Sequence, residues 1–291
     1  MHVSFHIGAH CTDDDQLVKS LLKNKGRLAA EGIIVPGPSR YRGLLADVLP
    51  KLKGARASQD TQDVVLDSVM DVDQADRLVL SHDNFLGAPR RALEDQQLYH
   101  LARRNSSWLR NLFPDNPVEF FLSVRNPATF VPALFEQVPD LTFPEFVAGV
   151  DLRALYWSDM VHAIREENPD CPVTVWCNED TPLIWPEVLH EVAGLDPLVR
   201  LKGGLDIMAQ ITAKEGMRRL RAYMKEHPPQ NEIQRRRILS AFLDKFALDD
   251  EIEEELDLPG WTPKLIDTLT AAYDDDMLEL ARLPGVTLLT A

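Results

Sequence analysis

The sequence predicts a three-layer α/β fold, with a mainly parallel sheet, helices on both of its faces and a helical C-terminal extension. Three observations lead to this prediction. Residues 2–8 alternate polar and apolar side chains as a strand does, and leucines at helical spacing follow a tight loop. Later apolar runs have the length of buried central strands. After about residue 205 the pattern changes to successive helices.

The first unit is a strand, a loop and a helix. The helix is predicted over residues 16–33 and ends near Gly32, where a left-handed residue can close it. A short second strand over 32–37 stops at Pro36, because proline cannot donate to a strand ladder. This order of elements is typical of the opening of a parallel sheet.

Further strands are expected at 77–81, 118–124 and 172–177, with helices between them at 93–113 and 152–168. These elements form a predicted α/β core over residues 1–204. The predicted extension, residues 205–291, packs on the same domain. Within it we expect a basic helix over 214–227, an acidic segment over 249–257 and a terminal helix over 261–283 that is capped at Thr262. A tail over 285–289 either adds an edge strand or only packs.

The net charge of the chain argues against some classes of binding partner. The net charge is −15, from 46 acidic against 31 basic residues. This balance argues against sequence-independent binding to nucleic acid or to an anionic membrane, because both need a basic face. The three cysteines are not spaced for zinc, and no apolar run approaches the ~20 residues of a membrane span. We therefore expect a cytoplasmic protein with free thiols.

The segment 6–17, "HIGAHCTDDDQL", is the first candidate site. A strand that ends in glycine and turns into a helix directs backbone N–H groups and the positive end of the helix dipole at one point, which favours anions. The nucleotide-binding pattern G-x-x-x-x-G-K-[ST] is absent from it. The loop therefore predicts an anion site but not an ordinary ATPase or kinase.

The same segment resembles the opening of P-loop sulfotransferases, whose bacterial members often begin His-Ile-Gly-Thr-His-Lys-Thr-Gly-Thr-Thr. Residues that match this pattern are His6, Ile7, Gly8, His10 and Thr12. The resemblance implies a P-loop-type sheet and transfer of a sulfuryl group from 3′-phosphoadenosine 5′-phosphosulfate (PAPS) to a hydroxyl of a carbohydrate or other small acceptor. The loop positions that it assigns to the 5′-phosphosulfate are Gly8, His10, Cys11, Thr12, Asp13, Asp14 and Asp15.

A second signature of the same family is an arginine, then Asp or Asn, then proline after a strand. "SVRNPATFVPALFEQ" matches it at Arg125, Asn126 and Pro127. By resemblance, Arg125 would hold the 3′-phosphate of PAPS or of its product PAP. The serine that family members place about eight residues later falls near Ala133, which has no hydroxyl. The likeness runs in order from residue 2 to about 195.

His82 and Asp83 are the candidate catalytic residues. They follow an apolar strand at its carboxyl end, where open α/β sheets bind ligands. "SHDNF" also resembles the strand end where relatives carry an acid. Either side chain would be placed to deprotonate an acceptor hydroxyl. The alternative is a polar turn that satisfies its own backbone.

The acidic loop leaves several interpretations open. Cysteine and three aspartates stand where relatives carry lysine, glycine and threonines, and one carboxylate close to a phosphate costs about 3 to 4 kcal/mol at an effective dielectric near 20. The acids could instead stabilise the first turn of the helix, and Thr12 or Asp13 could cap its free N–H groups. They could also bind Mg²⁺ together with His10 and His82. A reactive thiol at Cys11 is a further alternative.

The resemblance and the acidic loop together predict a sulfotransferase-like protein with a degenerate donor site. Sulfuryl transfer is expected to be impaired or lost, because Cys11 supplies no positive charge to the leaving group. Whether the chain is an enzyme stays open on the sequence. The alternative is a binding or regulatory pseudoenzyme that keeps the fold and a ligand cleft.

Overall fold

The computed structural model describes residues 1–248 and 258–291, so the predicted acidic segment 249–257 lies outside the described residues. Its centre is a six-stranded sheet with the order β2-β3-β1-β4-β5-β6, in which every pairing is parallel. The strands are β1 (His2–His6), β2 (Ile33–Ile34), β3 (Arg77–Ser81), β4 (Val118–Val124), β5 (Val173–Cys177) and β6 (Val286–Leu289).

Helices surround this sheet, so the predicted three-layer α/β class is confirmed. They are α1 (Gln16–Leu22), α2 (Lys25–Ala30), α3 (Arg42–Leu52), α4 (Gln59–Val69), α5 (Ala102–Leu112), α6 (Pro127–Glu136), α7 (Phe143–Phe146), α8 (Trp157–Glu167), α9 (Thr181–Ala193), α10 (Asp206–Gln210), α11 (Lys214–Glu226), α12 (Glu232–Phe246) and α13 (Pro263–Leu280). Short 3₁₀ helices join several of them.

Side chains along β1 point alternately to the two faces of the sheet, and a hydrophobic layer covers each face. Val3, Phe5 and Ile7 face one layer, in which β3, β4 and β5 pack against α3 to α8 and α13. The other face carries Phe121 and Trp176 and packs against α1, α2 and α9. Burial of apolar strands on both faces is what a parallel sheet requires.

The C-terminal part of the chain returns to the sheet. Of the two alternatives for residues 285–289, the structure shows the edge strand: β6 pairs with β5. Thr262 caps α13 as expected, since its side chain accepts a hydrogen bond from the N–H of Leu265. Between α9 and α13, α10 to α12 form a small separate core that includes Met208, Met217 and Leu239.

The helix predicted over 152–168 begins at Trp157, and two other predicted helices differ further from the structure. The helix predicted over 93–113 begins only at Ala102, because Tyr99 takes a positive φ of 48° and its phenol is bound to the loop after β1. The helix predicted over 16–33 is broken near Asn24, whose side-chain amide holds the backbone of Lys202 at 2.8 and 2.9 Å. In both places a distant contact overrides a local helical pattern.

No helix in the described ranges combines the length and the apolar character that crossing a membrane requires.

Candidate ligand cleft

A cleft of about 800 Å³ lies at the carboxyl ends of β1, β4 and β5. From β1 the chain continues to β2 and β3 on one side of the sheet, whereas from β4 it continues to β5 and β6 on the other side. The two connections therefore run in opposite directions from the neighbouring strands β1 and β4. Open α/β sheets bind ligands at this kind of position. The loops after β1, β4 and β5 form one side of the cleft, and α6, α9, α10 and α12 complete it.

The loop after β1 is tied to both neighbouring strands. Pairing with β4 continues past His6, because the N–H of Ala9 donates to Ser123 and the N–H of Ser123 donates to Gly8, both at 2.9 Å. Gly8 has a φ of 110°, and a Cβ there would lie 3.2 Å from the carbonyl oxygen of Asp83. Glycine is therefore favoured at this position by its conformation, and a Cβ would also crowd the backbone of Asp83.

The three aspartates of this loop point to different partners. Asp13 accepts a hydrogen bond from the N–H of Leu17 at 2.7 Å. Asp15 forms a two-pronged ion pair with Arg42, one contact being 3.1 Å between Nη1 and Oδ2. The side chain of Asp14 is exposed and lines the cleft. The carboxylates thus do not converge on one point.

The carboxylate of Asp13 takes the place that the sequence assigned to an anion at the start of α1. Burial raises the pKa of Asp13, while His6 and the N–H of Leu17 act against this rise. The side chain is a helix cap supplied by the chain, as one of the sequence interpretations proposed. The hydroxyl of Thr12 donates instead to the carbonyl of Ala9 at 2.7 Å.

Tyr99 fixes the position of His10. The phenol of Tyr99 accepts a hydrogen bond from the backbone N–H of His10 at 3.0 Å, and its oxygen also lies 2.7 Å from Nδ1 of the ring. Nε2 of His10 lies 3.2 Å from Oδ1 of Asn84. Burial lowers the pKa of His10. A neutral imidazole here offers no positive charge to an anion.

His6 lies below the same loop. Its Nδ1 is 2.9 Å from the hydroxyl of Ser81, and its ring stacks on Trp176 with centroids 5.8 Å apart. Nε2 has no hydrogen-bond partner within the described ranges. Burial lowers the pKa of His6 below its usual range. This confinement makes His6 a neutral support of the loop.

His82 and Asp83 lie at the end of β3, with Nδ1 of His82 3.0 Å from Oδ1 of Asp83. Burial alone would raise the pKa of Asp83, but the contacts with His82 and the nearby His10 outweigh it and hold the pKa at about 2. A carboxylate with so low a pKa is a weak base. Neither residue is among those that line the cleft.

Arg125 does line the cleft, and its guanidinium is engaged by the protein. Nη1 donates to the carbonyl of Cys11 at 2.9 Å, and Nε donates to the hydroxyl of Thr129 at 3.0 Å. The first of these bonds ties the loop after β4 to the loop after β1. Ala133 lies in the same cleft. The two sequence patterns, in the loop after β1 and in the loop after β4, therefore meet in one place.

A second carboxylate of the chain lies at the start of α6. Oε1 of Glu179 accepts a hydrogen bond from the N–H of Asn126 at 2.8 Å, and Oε2 accepts one from the phenol of Tyr273 at 3.1 Å. The side chain of Asn126 caps α6 by accepting from the N–H of Ala128 at 2.9 Å. The N-terminal end of α6, like that of α1, is therefore occupied by side chains of the chain itself.

The lining of the cleft is acidic. Among the described residues that line it, Arg125 is the only cationic side chain, whereas Asp14, Glu136 and Glu179 bring carboxylates. Within residues 1–248 and 258–291, no group of three or more histidine, cysteine, aspartate or glutamate side chains is arranged to hold a metal ion. Asp13, Asp14 and Asp15 therefore do not form such a group.

Three residues of the site escaped the sequence analysis. Arg42 binds Asp15 and also donates to the carbonyl of Ser81 at 3.0 Å; Tyr99 fixes His10; and Glu179 occupies the start of α6. Each acts on a partner at least 27 residues away along the chain. No spacing rule in the sequence connects such pairs.

No protein-family model matches this chain, and no curated protein or solved structure matches it either.

Proposed function

We propose that this chain is a sulfotransferase-like binding or regulatory protein that no longer uses PAPS as a donor. The observation that carries the proposal is the carboxylate of Asp13, which accepts the Leu17 N–H at the start of α1. By resemblance, that is where the donor's 5′-phosphosulfate would lie. A phosphate brought near this carboxylate would meet a repulsion of about 3 to 4 kcal/mol at an effective dielectric near 20.

The second signature supports the same proposal. The resemblance assigns the 3′-phosphate to Arg125, which already binds Cys11 and Thr129. Glu179 adds a negative charge at the adjacent Asn126 N–H, and Ala133 supplies no hydroxyl. A nucleotide with phosphates at both ends would therefore meet one of the chain's carboxylates at each end.

Sulfuryl transfer from PAPS to the hydroxyl of a carbohydrate or small acceptor is the second candidate function. The observation that favours it is the shared position of the loop after β1 and Arg125 in one cleft of about 800 Å³. This volume is within the usual range for sites of small molecules and cofactors.

Calorimetry with PAP separates the two candidates. We expect no saturable binding of PAP up to about 1 mM, with or without Mg²⁺, because neither phosphate finds an available cationic site. The matched comparison is the Asp13→Asn variant, which keeps an acceptor for Leu17 and removes one negative charge; its affinity for PAP should be higher than that of the native chain. Saturable binding of PAP to the native chain would overturn the proposal and favour sulfuryl transfer.

A further inference from the structure

The charge in the cleft is the first observation that points to a class of ligand. Both oxygens of Glu179 are used inside the protein, and Arg125 is bound to the loop after β1. Asp14 and Glu136 are exposed, and neither carboxylate forms an ion pair within the described part of the chain. The nearby ammonium of Lys19 binds the backbone carbonyl of Asp14 at 2.8 Å. The cleft thus keeps two carboxylates to offer to a ligand.

The second observation is the division of the lining into a polar part and an apolar part. The loops after β1, β4 and β5 bring hydroxyl, amide and carboxylate groups. The helical extension brings the apolar side chains of Ile207, Ile211 and Leu243. Ligand clefts with a few placed polar groups and an apolar wall orient one end of the ligand by charge and hold the rest by burial.

On these two observations we infer that the cleft binds an organic amine: a protonated amino group lies near Asp14 and Glu136, and an apolar body lies against the side chains of α10 and α12. The inference rests on the proposed function, since a chain that held PAP here would have no room for this ligand. The net charge of −15 favours the approach of a cation to the whole molecule. Salt should weaken the binding, because both carboxylates are exposed.

Three indole compounds of similar size test the charge. Tryptamine is a cation at neutral pH, tryptophol is neutral and indole-3-acetate is an anion. By calorimetry at low ionic strength we expect tryptamine to bind about tenfold more tightly than tryptophol, and indole-3-acetate to bind most weakly. Equal affinity for tryptamine and tryptophol, tighter binding of the anion, or no saturable binding of tryptamine would overturn the inference.

Substitutions locate the amine. Asp14→Asn and Glu136→Gln should each weaken tryptamine about 2- to 5-fold and leave tryptophol unchanged, because each removes one exposed charge. Asp67→Asn, on the exposed side of α4, is the matched control and should change neither affinity. Circular dichroism checks that each variant is folded. Unchanged tryptamine affinity in the Asp14→Asn and Glu136→Gln double variant would place the amine elsewhere and overturn the inference.

The two proposals fail in different ways. Binding of PAP to the native chain removes the proposed function, whatever the indoles do. If PAP does not bind and tryptamine shows no preference over tryptophol, only the amine inference is lost.

Discussion

The loops after β1 and β4 both direct N–H groups at the start of a helix to a carboxylate of the chain, but the two carboxylates differ in origin. Asp13 lies four residues before the N–H that it accepts, whereas Glu179 lies 53 residues after Asn126. The first contact forms within one turn of chain. The second requires β5 to be docked beside β4. The Asp13 contact therefore depends on one short segment, whereas the Glu179 contact depends on the assembled sheet.

Replacing Asp13 should have the largest effect on stability. Asp13→Ala leaves the N–H of Leu17 without its side-chain acceptor, and we expect the free energy of unfolding to fall by about 1 to 2 kcal/mol. Asp13→Asn keeps an acceptor oxygen and should stay within about 0.5 kcal/mol of the native chain. Guanidinium chloride unfolding measures both variants. Equal losses in the two would mean that the charge of Asp13, rather than its hydrogen bond, stabilises the loop.

Replacing Glu179 should have a smaller effect, because this side chain is exposed. Glu179→Ala removes the acceptor of the Asn126 N–H and of the Tyr273 phenol, and we expect a loss of about 0.5 to 1.5 kcal/mol. Glu179→Gln keeps one acceptor and should lose less. Amide hydrogen exchange sharpens the comparison: Asn126 should exchange faster in Glu179→Ala, while Leu17 should be unaffected. Faster exchange at both amides would show that the two loops are coupled.

The smallest expected effect on stability is at Asp83, outside the cleft. Its pKa of about 2 lies below the ordinary aspartate value of about 3.9, so protonation is harder in the folded chain than in the unfolded one. Ionised Asp83 therefore stabilises the fold above about pH 4, and this contribution is lost as the pH falls through about 2. Solvent around the half-exposed carboxylate keeps the contribution small.

Carboxyl NMR titration checks the cause of this shift. His82→Ala should move the pKa of Asp83 up toward the ordinary value, because the contact with Nδ1 of His82 is lost. His162→Ala, which changes an exposed histidine on α8, is the control and should leave Asp83 unchanged. An unchanged pKa in His82→Ala would assign the shift to His10 and Arg42 instead.

The predicted strands and the cap at the first loop show what local patterns can reveal. Each central strand is an apolar run bounded by polar residues. Its side chains alternate between the two faces of the sheet, so they are buried in the two hydrophobic layers. Asp13 was among the predicted caps because a helix start needs an acceptor within a few residues. Tyr99 shows the opposite case: its segment carries a helical pattern, but the bond of its phenol to His10 determines its conformation.

By itself, then, the sequence determined the parallel α/β architecture, the glycine turn after the first strand and the acidic character of the loop that follows, because each depends on neighbours within a few residues. Only the tertiary structure decided that Asp15 pairs with Arg42, that Glu179 occupies the start of α6 and that two exposed carboxylates share a cleft with an apolar wall. The physical reason is distance along the chain. These charges find their partners only after the strands have assembled, and the pairing lowers the free energy of the folded sheet rather than of any segment within it.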